Sequence, residues 1–298
     1  MDILDRLIQL SQVEAVVHTH CLFQGQWKVE PQANAVQYEG LFHLIEQGEC
    51  YLEIAQQQFH LHAGDIFFLP KAMTHQIRSQ ATDLPASKLI HEYQQGAFRI
   101  RQIGEGAPEL KMFCGAFKYV KPSSLIESLP PYLHLTLGHN VAALINLFQQ
   151  EFHSEQQASQ SVINALAQVL LTYILRQALS TNGDQQNLLA GLQDKRLSQV
   201  LQAVTQAPQE DWSIESLAAL ANMSRANFIR VFQQKLGIAP GKFVTQLRLQ
   251  QAALLLTRTQ KTVLNIALDV GYQTEAHFSK AFKAQFGVPP SIYRKNQG

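Results

Sequence analysis

The sequence predicts a two-domain α+β protein, in which a small β-barrel with flanking helices at its C-terminal end precedes an all-α domain. Three observations predict this class: strand-like runs between about Trp27 and Phe117, helical periodicity after Pro131, and a duplicated helical pattern near the C-terminus. The 298 residues, 46% of them hydrophobic, are enough for two domains with cores of their own. The expected boundaries are 1–180 for the first domain, 181–193 for a linker and 194–298 for the second domain.

The strand-like runs of the first domain are short and separated by turn residues. They are rich in β-branched and aromatic residues and are broken by Gly, Pro and Asp, as is typical of a mostly β domain. The runs are GLFHLIEQGECYLEI, QFHLHAGDIFFLP, HQIRS and LKMFCGAFKYV.

Helical periodicity begins after the Pro130-Pro131 pair, first around NVAALINLFQQEF and then over 160–179. The second of these helices has a broad apolar stripe. Two interpretations stay open, packing of the stripe on the β domain and a homodimer seam, and both can hold for different faces. The polar stretch STNGDQQN, Ser180 to Asn187, is expected to be the linker. The residues of the stripe are Val162, Leu166, Val169, Leu170, Tyr173 and Ile174.

Charge is distributed unevenly along the chain. The formal net charge is only +1, but the residues from Arg196 onward contain 12 Lys and Arg against 5 Asp and Glu. The remainder holds 12 against 18, so the second domain is basic and the first is acidic. A basic domain of this size favours a polyanionic partner.

Neither the apolar segments nor the cysteines indicate a membrane or secreted protein. No run approaches about 18 consecutive apolar residues, and the start, MDILDRLIQL, is acidic and amphipathic, so we expect a cytoplasmic protein without a membrane partner. Cys21, Cys50 and Cys114 cannot all pair within the chain and form no CxxC. Neither a disulfide framework nor a thiolate zinc site is indicated.

A twenty-residue pattern occurs twice in the second domain, 50 positions apart. SRANFIRVFQQKLGIAPGKF begins at Ser224, and TEAHFSKAFKAQFGVPPSIY begins at Thr274. Both first residues are good helix N-caps, and Gly237 and Gly287 stand where a C-cap adopts positive φ, so each copy predicts a helix of about twelve residues. A shorter helix precedes each copy, IESLAALA and VLNIALDV, and ends in a tight turn. The pattern predicts two helix-turn-helix motifs.

The two longer helices each have an apolar face, which we expect to be buried, and a polar face. The apolar faces consist of Phe228, Val231, Phe232 and Leu236 in the first copy and Phe278, Ala281, Phe282 and Phe286 in the second. The polar faces carry amide, imidazole, cationic and small groups that suit base edges in the DNA major groove; the alternative is a merely solvated surface. The candidate base-reading residues are Arg225, Ala226, Asn227, Arg230, Gln273, Glu275, Ala276, His277 and Lys280.

A long amphipathic helix is predicted between the two motifs, starting just after Pro240. It can hold two recognition helices about one turn of DNA apart, roughly 34 Å, so that a monomer reads a bipartite site. Contacts to phosphates would add affinity without sequence information. The candidate phosphate-contacting residues are Ser224, Lys242, Arg248, Lys261, Thr274, Lys283 and Arg294.

From Asp194 to the C-terminus the sequence resembles the AraC/XylS family of transcription regulators. The resemblance is strongest over IALDVGYQTEAHFSKAFKAQFGVPPSIYR. It implies a sequence-specific transcription regulator, usually an activator, whose partners are double-stranded promoter DNA and RNA polymerase. It also places the recognition helices at Ser224–Leu236 and Thr274–Phe286.

HLHAGDIFFLPKAMTHQI has the order and spacing of the second motif of cupin barrels, so the first domain resembles the small barrel that many such regulators use for effectors. His43 and His75 are the candidate effector-pocket residues. They are two ligands short of a closed metal site, which His18, His20, His60 or His62 could complete. We therefore expect no cofactor. The alternative to metal binding is that His43 and His75 are hydrogen-bonded in the barrel interior. A cupin metalloenzyme fused to a helical domain is a distant alternative to a transcription regulator.

Most of the first domain is also similar to reactive-chlorine-responsive activators within this family, through FHLIEQG, GDIFFLP, FCGAF and SLPPYLHL. Cys21 and Cys114 match cysteines of those activators, which implies redox sensing, although 81–110 is longer here. A sensor needs a reactive thiolate and a resolving thiol within reach. We expect Cys21 to be the reactive thiol, with His18 or His20 stabilising its thiolate. The alternatives are that Cys114 is only a small buried hydrophobe, or that the barrel binds a small molecule or metal.

Overall fold

A computed structural model describes residues 2–30, 40–71, 73–87, 89–136, 138–153, 156–181 and 187–297. Residues 182–186 of the predicted linker region lie outside the described residues. The strands are β1 (Glu14–Phe23), β2 (Lys28–Val29), β3 (Gly40–Gln47), β4 (Glu49–Ile54), β5 (Gln57–His62), β6 (Asp65–Leu69), β7 (Gln76–Arg78), β8 (His91–Gln95), β9 (Phe98–Ile103), β10 (Leu110–Lys118) and β11 (Leu133–Thr136). The helices are α1 (Ile3–Ser11), α2 (Ser124–Glu127), α3 (His139–His153), α4 (Ser159–Thr181), α5 (Leu188–Gln193), α6 (Lys195–Gln206), α7 (Ile214–Leu220), α8 (Arg225–Leu236), α9 (Pro240–Arg258), α10 (Val263–Asp269), α11 (Glu275–Phe286) and α12 (Pro290–Gln297).

These elements form two compact units, of which the first comprises Glu14–Lys118 and Pro130–Ala178. It contains a seven-stranded sheet in the order β11-β6-β3-β10-β1-β9-β8 and a four-stranded sheet in the order β2-β7-β4-β5. The strongly apolar strand β6, DIFFL, is buried along its whole length, as expected for a strand covered on both faces. The core includes Phe23, Trp27, Cys50, Phe67 and Ile77. This unit is the β-rich domain that the sequence predicts.

Two parts of the β unit were not predicted as strands. β1 lies upstream of the predicted β region, yet it pairs with β10 and β9 inside the larger sheet. β8 and β9 form a hairpin within the long segment 81–110, and β9 pairs parallel to β1 from Thr19 to Phe23. The extra segment therefore extends the sheet next to Cys21.

Helix α4 buries one apolar face and exposes part of another. Ile163, Ala167 and Leu170 are buried, whereas Val162 and Val169 are 41% and 43% exposed. The helix is long and apolar enough to cross a membrane by length and composition alone, which is weak evidence because the core helix of a soluble protein passes the same test.

The second unit is all-α and comprises Met1–Val13, Tyr119–Leu129 and Leu179–Gly298. Its first two segments belong by sequence to the predicted first domain, but α1 packs against α6 and α9, and α2 packs against α9. Arg6 bonds to Gln251, and the buried Gln250 donates to the carbonyl of Pro122 at 2.9 Å. Apolar residues of α1 explain this packing, because Leu4, Leu7 and Leu10 need a buried partner surface.

Candidate nucleic-acid interface and buried thiol cluster

Both predicted recognition helices form where the duplicated pattern places them. The hydroxyl of Ser224 accepts from the backbone N–H of Asn227 and caps α8, and Thr274 does the same for His277 in α11. Each helix ends at a glycine in the left-handed region, Gly237 at φ 74° and Gly287 at φ 78°. The cap and stop residues therefore fix both helices at twelve residues.

The apolar faces of the two recognition helices are anchored by buried phenylalanines. Phe228 and Phe232 are 0% and 1% exposed, and Phe278 and Phe282 are both 0% exposed. Phe286, by contrast, is only partly buried, because it lies at the end of α11, where its ring stacks on Phe282 at 4.4 Å. The predicted inward faces are confirmed in both copies.

The opposite faces of α8 and α11 point to solvent. The side chain of Arg230 is held along the helix by Asn227, whose amide oxygen lies 2.8 Å away, and Arg225 lies 3.2 Å from the carboxylate of Glu215 on the preceding helix. All but one of the nine predicted base-reading residues are exposed, and Asn227 is half-buried. The exposed ones are Arg225, Ala226, Arg230, Gln273, Glu275, Ala276, His277 and Lys280.

Helix α9 contacts α8, α11 and α12 and therefore joins the two motifs. Its 19 residues correspond to a length of about 28 Å. Of the predicted phosphate-contacting residues, Arg248 and Arg294 differ from expectation. Arg248 donates to the carbonyls of Pro208 and Glu210, and Arg294 donates to the carbonyls of Leu256 and Lys261. These guanidinium groups stabilise the unit. The other predicted phosphate-contacting residues are exposed, namely Ser224, Lys242, Lys261, Thr274 and Lys283.

A cluster of two thiols and two imidazoles lies inside the β unit. The Sγ atoms of Cys21 and Cys114 are 3.9 Å apart. Their strands are antiparallel neighbours in which Cys21 faces Met112 and Cys114 faces Thr19, so the two cysteines are diagonal neighbours. On the other side of β10, Cys114 faces His43 of β3. The sheet register therefore brings together residues 93 and 71 positions apart in sequence.

The hydrogen bonds of this cluster form a chain with one consistent set of protons. Nδ1 of His75 lies 2.9 Å from the carbonyl oxygen of Met73, which only accepts, so His75 carries its proton there. Nε2 of His75 then accepts from Nε2 of His43 at 2.8 Å, which leaves Nδ1 of His43 to accept from the Cys114 thiol at 3.1 Å. This geometry assigns neutral tautomers to both imidazoles.

The pKa shifts agree with a neutral cluster. Burial lowers the pKa of His43 well below its ordinary value, with further contributions from His75 and Arg101. Burial also lowers the pKa of His75. The hydrogen bond with Cys21, followed by burial, raises the pKa of Cys114 well above its ordinary value. Cys114 is therefore a protonated thiol at neutral pH.

The structure contradicts the predicted role of His20 beside the Cys21 thiolate, whereas the role of His18 stays a prediction. Neighbouring strand residues point to opposite faces, and His20 stacks on Phe113 at 4.3 Å with its Nε2 2.7 Å from the Glu46 carboxylate. Nδ1 of His18 lies 2.6 Å from the Thr19 hydroxyl. Neither imidazole joins His43 and His75, so a metal set of His18, His20, His43 and His75 is not assembled. His43 and His75 are hydrogen-bonded to each other in the barrel interior, which is the predicted alternative to a metal site.

Cys50 is a different kind of cysteine. It is 0% exposed in the barrel core, and burial, with Asp65, Cys21 and Glu49 nearby, raises its pKa to about 12. Such a thiol is inert at neutral pH.

Family models match both halves of the chain. Residues 2–180 match a model described as Cupin, and residues 217–296 match one described as Helix-turn-helix domain. The first of these covers more than half of the chain. Together they confirm the barrel and the helix-turn-helix region that the sequence predicts.

Three relatives match along nearly their whole length. The chain is 49% identical to an uncharacterized HTH-type transcriptional regulator of Haemophilus influenzae, over 99% of each chain. It is 38% identical to the HTH-type transcriptional regulator MtrA of Neisseria gonorrhoeae, over 100% of this chain and 99% of that one. It is 27% identical to the RCS-specific HTH-type transcriptional activator RclR of Escherichia coli, over 99% of this chain and 98% of that one.

These relatives are named as transcriptional regulators, in agreement with the expectation that the chain is not an enzyme. The duplicated, phenylalanine-anchored motifs supply the DNA-binding domain that such regulators need. The chain belongs to the AraC/XylS family of DNA-binding transcription regulators, with an N-terminal cupin domain.

Proposed function

We propose that this regulator is a cytoplasmic transcription activator that responds to hypochlorous acid by forming a disulfide between Cys21 and Cys114. The observation that carries the proposal is the 3.9 Å separation of the two sulfur atoms. A relative named as RCS-specific, RclR, adds support from the sequence side. We assign Cys50 no part in the reaction, because its buried thiol holds its proton and, among the described residues, no imidazole contacts it as His43 contacts Cys114.

The proposed reaction has two balanced steps. The Cys21 thiol takes the chlorine of HOCl, forming a sulfenyl chloride and water. The sulfur of Cys114 then attacks the sulfur of Cys21, so that an S–S bond forms and chloride leaves. Each disulfide consumes one HOCl, which is reduced to chloride while two thiols are oxidised.

The His43–His75 pair supports the second step. Cys114 must lose its proton as it attacks, and its raised pKa disfavours loss to water. Nδ1 of His43, 3.1 Å from the sulfur, is the acceptor, and the chain through His75 to the Met73 carbonyl holds that nitrogen unprotonated in the resting state. His43 therefore acts as the general base for the resolving thiol.

Disulfide formation requires movement in the sheet. The sulfurs must approach from 3.9 Å to about 2.05 Å. Diagonal strand neighbours have Cα atoms about 7–8 Å apart, whereas disulfides rarely exceed about 6.8 Å, so β1 and β10 must shift relative to each other. We expect this shift to bias a two-state balance in the regulator.

The chain offers a direct route for this shift to the DNA-binding unit. β1 continues backward into α1, and β10 continues forward into 119–129, and both segments pack within the all-α unit. There they contact α9, the helix between the two recognition motifs. We propose that the shift reaches the DNA-binding unit through these two segments.

The test compares Cys21→Ser, Cys114→Ser and the matched control Cys50→Ser. We expect wild type and Cys50→Ser to lose two free thiols per chain on one equivalent of HOCl and to change promoter affinity. Cys21→Ser and Cys114→Ser should form no intramolecular disulfide and show no change in affinity. A normal promoter response in both variants would refute oxidant sensing at this pair.

A second candidate keeps the DNA-binding function and places a metal or small-molecule effector in the barrel. The observation in its favour is the buried His43–His75 pair beside the Cys114 thiol, which are ligand types that Zn²⁺ and Cu⁺ accept; no three of these described side chains lie within 4.8 Å of one another, so metal binding requires them to move. Stoichiometric metal in protein purified under reductant, with loss of that metal in Cys114→Ser, would favour this candidate over thiol oxidation.

On the DNA side, we propose that α8 and α11 read bases in two major-groove segments through the nine exposed or half-exposed residues described above. Ala226 and Ala276 permit close approach to a base edge or thymine methyl. Ser224, Lys242, Thr274 and Lys283 are proposed to contact phosphates, and RNA polymerase is the proposed partner in activation. Transcription in vitro with purified polymerase distinguishes an activator from a repressor.

We further propose that a second copy of the chain packs on the exposed apolar face of α4. Val162 and Val169 are 41% and 43% exposed, and they are seven residues apart, so they lie on one side of the helix. Sedimentation of wild type and of Val162→Lys with Val169→Lys tests this. We expect wild type to sediment as a dimer and the double variant as a monomer. Equal mass in both proteins would refute a dimer interface on α4.

A further inference from the structure

A second group of metal-ligating side chains lies outside both the thiol cluster and the DNA-reading surface. Glu49 of β4 and His60 and His62 of β5 offer one ligand atom each, and these atoms all lie within 4.8 Å of one another. Among the described residues no other group of three His, Cys, Asp or Glu residues meets this distance. We propose that these three residues bind a divalent transition-metal ion of the Zn²⁺ class.

Strand geometry explains why the three side chains converge. His60 and His62 are two positions apart, so they project from the same face of β5. β4 and β5 pair antiparallel, with Glu49 directly opposite His62 and Tyr51 directly opposite His60. Glu49 is therefore the cross-strand neighbour of one histidine and the diagonal neighbour of the other.

The distances suit a metal between these atoms. Oε2 of Glu49 lies 3.2 Å from Nε2 of His60 and 3.9 Å from Nε2 of His62. Ligand bonds of about 2.0–2.1 Å in tetrahedral geometry separate ligand atoms by about 3.4 Å. The observed separations bracket this value, so small side-chain rotations are sufficient.

Independent observations indicate that the ligands are set for an ion. Nε2 of His60 is shielded from solvent and makes no hydrogen bond to a described residue, because the Glu49 oxygen 3.2 Å away is not aligned with it. Tyr51 stacks on the ring of His60 at 4.3 Å and fixes its orientation. Nδ1 of His62 lies 3.8 Å from the Asp65 carboxylate, an acidic neighbour on the side of the ring away from Glu49.

Two imidazole nitrogens and one carboxylate oxygen are a donor set that Zn²⁺ uses when a fourth position is left for water or another ligand. Cu²⁺ and Ni²⁺ accept the same donors, and Cu²⁺ binds such sites more tightly than Zn²⁺ does. The side chains of Glu49 and His62 are 61% and 58% exposed, so an ion can reach the site from solvent without opening the barrel.

The experiment uses the full chain in a Cys21→Ser, Cys114→Ser background, which removes the barrel thiols as ligands. Chelator-treated protein is titrated with Zn²⁺ by calorimetry, and with Co²⁺ to follow the visible absorption that reports coordination geometry. His62→Gln and Glu49→Gln are compared with His91→Gln, an exposed histidine on β8. Circular dichroism melts show that each variant is folded.

We expect one ion per chain, and a loss of affinity of more than about 100-fold in His62→Gln, beyond what loss of a supporting hydrogen bond causes. Glu49→Gln should weaken binding and change the Co²⁺ spectrum, while His91→Gln should match the parent protein. Absence of binding in the parent, or equal affinity in His62→Gln, would overturn the proposal. Promoter response to HOCl is measured separately in chains with native cysteines, so either proposal can fail without the other.

Discussion

Phe232→Ala tests whether the recognition helices are held by their buried aromatic faces. Phe232 is 1% exposed, and its ring lies 5.4 Å from that of Phe228 and 5.8 Å from that of Phe243 at the start of α9. Truncating a buried phenylalanine costs about 3–5 kcal/mol, and the two aromatic pairs favour the upper part of this range. We therefore expect the free energy of unfolding of the all-α unit to fall by about 4 kcal/mol.

The two tryptophans allow this measurement within the full chain. Trp212 belongs to the all-α unit, where its indole N–H donates to the Ala207 carbonyl at 2.8 Å. A Trp27→Phe background leaves Trp212 as the sole tryptophan, so urea unfolding followed by its fluorescence reports this unit. The matched control is Arg230→Ala, two positions away on the exposed face, for which we expect a change within about 0.5 kcal/mol.

The two variants should affect the free energy of unfolding and the promoter affinity differently. Phe232→Ala should lose stability and, in proportion, promoter affinity, whereas Arg230→Ala should lose only promoter affinity. A cost below about 1 kcal/mol for Phe232→Ala would refute the view that this face anchors the helix, and so would equal destabilisation by Arg230→Ala.

Three further predictions follow from local geometry. Ser224→Ala and Thr274→Ala should each lower the free energy of unfolding by about 1 kcal/mol, measured by urea unfolding, because each removes a helix N-cap. Gly287→Ala should cost about 1 kcal/mol by the same assay through its φ of 78° alone, since no heavy atom beyond its chain neighbours lies within 4 Å of the added Cβ. Burial lowers the pKa of His43 below its ordinary 6.5, so barrel stability should be complete above pH 6.5 and fall below it by up to about 1.4 kcal/mol per pH unit. His43→Gln should reduce that slope in unfolding followed by Trp27 fluorescence in a Trp212→Phe background, and an unchanged slope would contradict the assignment.

The all-α unit was largely predictable from sequence because its information is local. N-caps, C-cap glycines and apolar spacing act within one helix, and the duplication gave each inference a second instance. Arg248 and Arg294 differ from expectation in donating to backbone carbonyls, because a basic residue near a DNA-binding surface looks the same in sequence whether it bonds to a phosphate or to a carbonyl of its own chain.

The β unit was less predictable because its contacts depend on register between distant strands. The sequence identified Cys21 and Cys114, and only the pairing of β1 with β10 brings their sulfurs within 3.9 Å. The same pairing sends His20 to the opposite face, where Glu46 accepts its hydrogen bond. The sequence named His60 and His62 only as possible additions to a site at His43 and His75, and the β4–β5 register is what places them beside Glu49.

The packing of α1 and 119–129 in the all-α unit had no local sequence signal. The amphipathic start indicated a helix with a face to bury, but not the surface that buries it. Long-range packing of this kind depends on the tertiary path of the chain.

Footprinting on promoter DNA at base resolution tests most directly whether two recognition helices on one unit read two successive major-groove segments. Wild type should protect two segments about 10 base pairs apart on one face of the duplex. Arg230→Ala should weaken contacts in one segment and Lys280→Ala in the other, each at a cost of about 1–3 kcal/mol in specific affinity. Protection of a single segment, or loss of the same contacts in both variants, would contradict the account.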